Sequence, residues 1–300
     1  MSQTHSVSIC GGVVIKRYVD WARGEHLREW AALQLVSAAE PDLVPSPLRC
    51  SWGGTSGCSP GGIGTGSAGA DGLSILMSLV PGRPLAGALA PEELAGLGTA
   101  LLELWSIPAD DLTPISYSAF VDRVREAMGT WRGTGIVGAA QTAATAWLSS
   151  GVLDQYYEPS VPVVGHGDPN LSNYLWDGSR VRIIDFEDAG RSDLAMELAN
   201  LVEHLACRTT DWTPLIDRFT TTGIRTDANR SRALQQLHAG RFHAARCLWA
   251  AFWLTMLRPG GPAVDRNPPN AGNLQAARFL SLLSTYSKGL RRGWGGGGGG

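Results

Sequence analysis

Three side chains within one forty-residue stretch, VPVVGHGDPNLSNYLWDGSRVRIIDFEDAGRSDLAMELAN from residue 161 to 200, are spaced to act together. Asp168 sits in His166-Gly167-Asp168, Asn173 follows on the same loop, and Asp185 opens Asp185-Phe186-Glu187. Two carboxylates and an amide oxygen around one point suit a hard cation, which takes oxygen ligands and keeps waters or substrate phosphates on its remaining positions. In that division of labour Asn173 and Asp185 hold Mg²⁺. Asp168, not needed as a ligand, accepts a hydroxyl proton and orients the nucleophile. Phosphoryl transfer from ATP asks for this arrangement, because the protein contributes positioning and charge stabilisation rather than covalent chemistry. His166 reads as a hydrogen-bonded structural histidine of the same loop.

A hairpin has to bring these residues together. Tyr174–Trp176 and residues 181–184 are apolar runs joined by Asp177-Gly178-Ser179-Arg180, a turn sequence that Asp177 can cap. Antiparallel pairing of the two runs sets Asn173 and Asp185 side by side at the open end, with Asp168 able to face the same spot. Lys16 supplies a second clue. It ends the β-branched run Val13-Val14-Ile15 and is one of only two lysines among 25 basic residues. A compact ammonium contacts phosphates in a way a guanidinium does not reproduce. Glu29 lies on the following helical pattern beside Leu33 and Val36, where a carboxylate in partly apolar surroundings needs a partner. A strand lysine paired with a helix glutamate is the ion pair that grips ATP phosphates in kinase-type sites.

The remaining pattern divides the chain in two. Residues 7–9 and 13–18 read as a hairpin turned by Cys10-Gly11-Gly12, and Glu25–Ala39 as a helix with Leu27, Trp30, Ala31, Leu35 and Ala38 on one face. Short strands are expected at 48–52 and 73–80, around a Gly/Ser-rich loop over 53–72. Pro81-Gly82-Arg83-Pro84 forms a hinge, and later segments read as helices over 91–105, 118–131, 137–148, 193–206, 212–220 and 231–257. The expected organisation is a strand-rich nucleotide-binding lobe over 1–80, a helical catalytic and substrate lobe over 81–294, and a glycine tail over 295–300.

Composition removes several classes. Neither lysine follows the G-x-x-x-x-G of a P-loop, which excludes the P-loop NTPases. A net charge of −2 offers no field for nucleic acid or an acidic membrane. The longest strongly apolar stretch, residues 247–257, falls short of the roughly 20 residues needed to span a bilayer. The first ten residues lack the pattern of a secretory signal. Five cysteines without C-x-x-C spacing point to isolated reduced thiols and a cytoplasmic setting. Charge is uneven: residues 150–220 carry a net −7 and residues 221–300 a net +9. A carboxylate-dense middle suits a metal or a cationic ligand, or pairs with the basic C-terminal segment.

At these residues the chain resembles the aminoglycoside phosphotransferase and choline kinase superfamily, small-molecule relatives of the protein kinases. The resemblance spans nearly the whole sequence and implies a two-lobed α+β kinase-like fold with ATP·Mg²⁺ between the lobes. It implies Lys16 and Glu29 as the phosphate-gripping pair, Leu79 and Val80 as hinge contacts for adenine, Asp168 as catalytic base, and Asn173 and Asp185 as magnesium ligands. Glu197-Leu198-Ala199 is similar to the family's Asp-Leu-Ala helix signature, with Glu in place of Asp. Only 15 residues precede Lys16, too few for the family's usual first strand and nucleotide-covering loop. The implied reaction is transfer of the γ-phosphate to a hydroxyl of an aminoglycoside or other antibiotic-type molecule. A choline-, ethanolamine- or other metabolite-type acceptor is the alternative, and a non-catalytic nucleotide-binding pseudokinase the alternative of another class. Glu187, Asp188 and Glu203 are candidates to attract a substrate amine. Trp249, Phe252 and Trp253 read as helix core, or alternatively as an aromatic wall for a quaternary ammonium.

Overall fold

Gly11 and Gly12 both adopt positive φ, 57° and 79°, the backbone that a tight antiparallel turn requires and that glycine adopts without strain. The turn joins β1 (His5–Cys10) to β2 (Val13–Tyr18), in the register His5↔Tyr18 through Cys10↔Val13. The structure, a computed structural model, describes residues 5–20, 22–52, 73–221 and 239–291. The loop expected over 53–72, the glycine tail and the first part of the helix expected over 231–257 lie outside the described residues.

These residues form two compact units, Met1–Pro114 with Pro162–Ser192, and Ile115–Val161 with Asp193–Gly300. The first is built on an antiparallel sheet of order β1-β2-β4-β3, with β3 (Pro47–Cys50) and β4 (Leu73–Ser78) beside the initial hairpin. Helix α1 (Glu25–Ala39) packs on β3 and β4. Its buried face is not the expected one. Leu27 is 50% exposed, whereas Glu29, Trp30, Ala32, Leu33 and Val36 are interior. The flank of Glu29, Leu33 and Val36 turns inward, where Glu29 pairs with Lys16, while of the expected stripe Trp30 stays interior and Leu27 is left outside.

Two short strands escaped the sequence pattern. Arg83–Pro84 (β5) pairs with β7 (Tyr174–Trp176), which pairs in turn with β8 (Val181–Ile183). Strand β6 (Pro162–Gly165) pairs with β9 (Gly190–Asp193), a segment too polar to carry an apolar alternation. Helix α2 (Pro91–Ser106) lies against β6, β7 and β8 and buries Leu97, Leu101, Leu104 and Trp105.

The second unit is helical: α3 (Tyr117–Gly129), α4 (Gly135–Leu148), α5 (Leu194–Glu203), α6 (Thr213–Thr221), α7 (Ala239–Met256) and α8 (Ala271–Arg291). Helix α8 was not expected from sequence. Its buried line of Gln275, Ala276, Phe279, Leu282 and Tyr286 has helical spacing but begins on an amide and a methyl, which blunts the hydrophobic period. Trp249, Phe252 and Trp253 pack on one another and on Phe120 and His204, with ring centroids 4.6–5.5 Å apart, and all three are half-buried rather than sealed in the core. Cys50 is disulfide-bonded, which corrects the expectation of five isolated thiols; Cys10, Cys207 and Cys247 are free. Among the described residues no helix is long and apolar enough to cross a membrane.

The match of Glu197-Leu198-Ala199 to a helix-start signature is displaced by one turn. Helix α5 begins at Asp193-Leu194-Ala195, where the Asp193 carboxylate accepts from Ala195 N (3.0 Å) and Met196 N (3.4 Å). It also accepts from Ser160 N at 2.7 Å and lies 3.2 Å from Arg241 Nε. Asparagine caps helices as well as aspartate but carries no charge. Asp193→Asn is therefore expected to keep the cap, leave Arg241 without its counterion, and lower stability by about 1–2 kcal/mol in urea unfolding.

Candidate active site

Lys16 lies at the centre of the first unit's polar interior, its side chain only 7% exposed. Its ammonium donates to Glu29 at 2.6 Å, to Glu187 at 2.8 Å and to Asp185. The expected pair of Lys16 and Glu29 is thus present, with Tyr18 donating a further hydrogen bond to Glu29 from two residues along the same strand. Burial opposes the charge on Lys16, but the three carboxylates outweigh it and hold the ammonium above its ordinary pKa. Burial raises Asp185 as well; in its case Lys16, by charge and hydrogen bond, prevails and keeps the carboxyl below the usual range. One ammonium cannot neutralise three carboxylates. Burial, only partly countered by Lys16, pushes Glu187 up to about 7.

The loop of residues 166–173 is locked to the segment that follows β8. His166 Nε2 pairs with the Ile184 carbonyl at 2.8 Å, consistent with its structural reading. Gly167 has φ +82°, and a Cβ there would fall 2.3 Å from the Asp188 carbonyl oxygen. The Asn173 carbonyl accepts from Ile184 N at 3.0 Å, so the expected hairpin does bring Asn173 beside the start of Asp185-Phe186-Glu187. Asn173 Nδ2 donates to the Asp168 backbone oxygen (3.1 Å) and to Asp168 Oδ2 (3.2 Å). With its nitrogen committed there, Asn173 presents its amide oxygen as the atom for a cation. Asp185 adopts φ 70°, the one non-glycine positive φ among the described residues. Strained backbone of this kind collects where a side chain must be aimed. An amide oxygen and an aimed carboxylate form a donor set that fits a hard divalent ion.

A cavity of about 530 Å³ adjoins this cluster, bounded by Val7, Ile9, Lys16, Met77, Leu79 and Asp185 among others. Its walls are largely aliphatic, with the charged groups gathered at one end. Leu79 and Val80 both line it, but the Leu79 N–H already donates to the Gly12 carbonyl at 2.9 Å. The backbone groups they offer to a ligand are therefore the Leu79 carbonyl and the Val80 amide.

The proposed amine-attracting acids fare differently. Glu203 belongs to the second unit, is wholly buried, and is held by Arg246 (2.7 Å) and Arg278 (3.0 Å). A carboxylate sealed between two guanidiniums is a structural ion cluster, so Glu203 is withdrawn as a substrate contact. Glu187 is committed to Lys16 and His5. Asp188 is half exposed, 3.6 Å from Arg28.

Sequence reasoning missed His5, Glu25 and Arg28. Arg28 Nε donates to the Glu187 carbonyl at 2.8 Å and ties α1 to the 185–188 segment. It lies one residue before Glu29, a position that the helical spacing could have flagged. His5 stands 2.8 Å from Glu187, and burial, reinforced by Lys16, lowers it to about 4.

These two shifts act on stability in opposite senses. His5, with its pKa depressed on folding, contributes stability that is lost as pH falls from 6.5 through 4. Glu187, with its pKa raised, contributes stability that is present below 4.5 and lost as pH rises through about 7. Burial raises Glu29 as well, which acts in the same sense, so the Glu187 share between pH 6.5 and 8 is the part removed by its own substitution. In EDTA the melting temperature should fall over that interval, and Glu187→Gln should flatten the fall; a slope unchanged by the substitution would refute the assignment.

Comparison with known proteins gives the family and the fold. The model of the phosphotransferase enzyme family (APH) matches residues 13–234, which include Lys16, Glu29, Asp168, Asn173 and Asp185. No curated protein matches the chain in sequence. Among solved structures it is similar to the aminoglycoside phosphotransferase APH(4)-Ia, with 17% identity over 93% of this chain and 89% of that one and a TM-score of 0.59. It is similar too to a choline/ethanolamine kinase family protein from Mesorhizobium loti, with 16% identity, 94% and 86% coverage and a TM-score of 0.58. A third similar structure is the GDP and kanamycin complex of APH(2")-IIia, with 14% identity, 96% and 91% coverage and a TM-score of 0.58. At these identities the structures establish the α+β, protein-kinase-like fold. The family rests on the sequence model, which covers well over half of the residues: the chain belongs to the phosphotransferase enzyme family.

Proposed function

We propose that the chain transfers the γ-phosphate of ATP, bound with Mg²⁺, to a hydroxyl of a small molecule. The observation that carries this reading is the linkage of Asp168 to Asn173, and of Asn173 to the residue before Asp185, beside a lysine buried among carboxylates. Lys16, held by Glu29, binds phosphate oxygens. Asn173 and Asp185 would hold Mg²⁺, which supplies neutralisation of charge on the transferring phosphate. Asp168 accepts the proton of the acceptor hydroxyl and orients that oxygen for attack. The aliphatic cavity takes the adenine, with the Leu79 carbonyl and Val80 amide as its edge contacts.

For the acceptor, an aminoglycoside or other antibiotic-type hydroxyl is the first reading, supported by the resemblance of the His166-Gly167-Asp168 loop to the form usual in antibiotic phosphotransferases. The withdrawal of Glu203 removes one acid that would recognise a polycation and favours a less basic metabolite hydroxyl as the second. Incubation with Mg²⁺·ATP and a panel of aminoglycosides, choline, ethanolamine and neutral hydroxylated metabolites, read by mass spectrometry, tests both. A phosphorylated product from at least one acceptor is expected. A thermal shift with Mg²⁺·ATP but no product from any acceptor would favour a nucleotide-binding pseudokinase instead.

A further inference from the structure

His5, Glu25 and Glu187 meet beside the Lys16 cluster, and none of the three is assigned a step in phosphoryl transfer, although His5 and Glu187 also line the adjoining cavity. All three are interior, with side-chain exposures of 6%, 1% and 19%. His5 Nε2 lies 2.8 Å from Glu187 Oε2 and 3.3 Å from Glu25 Oε2. Despite this closeness, neither ring nitrogen of His5 and neither oxygen of Glu25 makes a hydrogen bond. Arg23, 53% exposed, stands 2.8 Å from the other Glu25 oxygen. Its charge is screened by solvent and does little for a carboxylate that is itself sealed.

We propose that His5, Glu25 and Glu187 form a binding site for a transition-metal dication of the Zn²⁺ class, joining β1, α1 and the 185–188 segment. One imidazole and two carboxylates are the donors such an ion takes, and the nitrogen donor disfavours Mg²⁺ and Ca²⁺. The spacing fits as well. A cation bonded at about 2.0–2.1 Å separates neighbouring donors by about 2.9 Å in octahedral and about 3.3 Å in tetrahedral geometry. The two distances from His5 Nε2, 2.8 and 3.3 Å, bracket this donor spacing, and the three donor atoms lie within 4.8 Å of one another. Close approach without hydrogen-bond alignment is what donors directed at a common ion show. Charge points the same way: Lys16 is shared by Glu29, Asp185 and Glu187, and the cation paired with Glu25 is the exposed Arg23, so among the described residues the cluster is short of positive charge. The site is separate from the ligand pair Asn173 and Asp185 and does not depend on the nucleotide reading.

Calorimetric titration of the metal-free, tag-free full chain with Zn²⁺, in millimolar Mg²⁺ and without nucleotide, tests it. One equivalent of Zn²⁺ is expected, bound at least tenfold more weakly by His5→Gln and by Glu25→Gln and unchanged in Asn173→Ala. X-ray absorption at the zinc edge of the loaded wild-type chain should report one imidazole with oxygen donors, a readout that needs no variant to fold. Absence of saturable binding, wild-type affinity in either His5→Gln or Glu25→Gln, loss in Asn173→Ala, or a sulfur ligand at the zinc edge would overturn the proposal. Absence of phosphorylated product would leave it untouched, so the two readings fail separately.

Discussion

Replacing Lys16 with methionine is expected to destabilise the chain by about 3–5 kcal/mol, the cost of removing one partner from a buried ionic cluster. Methionine preserves most of the side chain's volume, so the loss is electrostatic. Glu29, Asp185 and Glu187 would face one another without the ammonium that holds them. The deficit should shrink at low pH, because protonation removes the repulsion, and a urea unfolding series from pH 5 to pH 8 would show this as a steeper fall than in wild type. Lys16→Arg should recover part of the stability but not nucleotide binding, since a planar guanidinium cannot direct three donors from one point at three oxygens. A variant as stable as wild type at pH 8 would mean that the three carboxylates are not ionised together.

Gly167→Ala should do comparable damage for a different reason. The residue sits at φ +82°, and the added carbon would lie 2.3 Å from the Asp188 carbonyl oxygen and 2.8 Å from its Cβ. Neither contact can be relieved by rotating a flexible side chain. The loop bearing Asp168 must instead move away from the segment bearing Asp185, at a cost of about 2–4 kcal/mol. Because both carboxylates are placed by this interlock, turnover should fall at least about 100-fold even where the variant remains folded. Circular dichroism with kcat and KM for ATP separates the two effects, and near-normal kcat in a folded variant would contradict the interlock.

Much of the site was readable because local signals fixed it. The turn from Asp177 to Arg180 sets the β7–β8 register, and that register leaves Asn173 and Asp185 adjacent without any tertiary information. The rarity of lysine singled out Lys16, and helical spacing placed Glu29 on the flank that proves to be buried. What was not readable depends on long-range charge. The face that α1 buries carries Glu29 to its long-range partner Lys16 and leaves Leu27 exposed, which the apolar pattern alone does not indicate. His5 and Glu187 meet across 182 positions of sequence, a separation over which no local pattern carries information. Glu203 was misread because the arginines that enclose it come from α7 and α8, the latter a helix whose buried line begins on an amide and a methyl and so escaped the hydrophobic period.

The catalytic role of Asp168 is the central claim, and its most direct measurement is single-turnover transfer from γ-labelled ATP to an acceptor identified in the substrate panel, compared between wild type and Asp168→Asn. Asparagine preserves the shape and keeps one of the two acceptors that Asn170 N and Asn173 Nδ2 use, so the fold and the Mg²⁺·ATP thermal shift should persist. The rate of transfer should drop by about 10²–10⁴, the range for loss of a positioned general base. Transfer at the wild-type rate by Asp168→Asn, with the nucleotide bound equally well, would contradict the account.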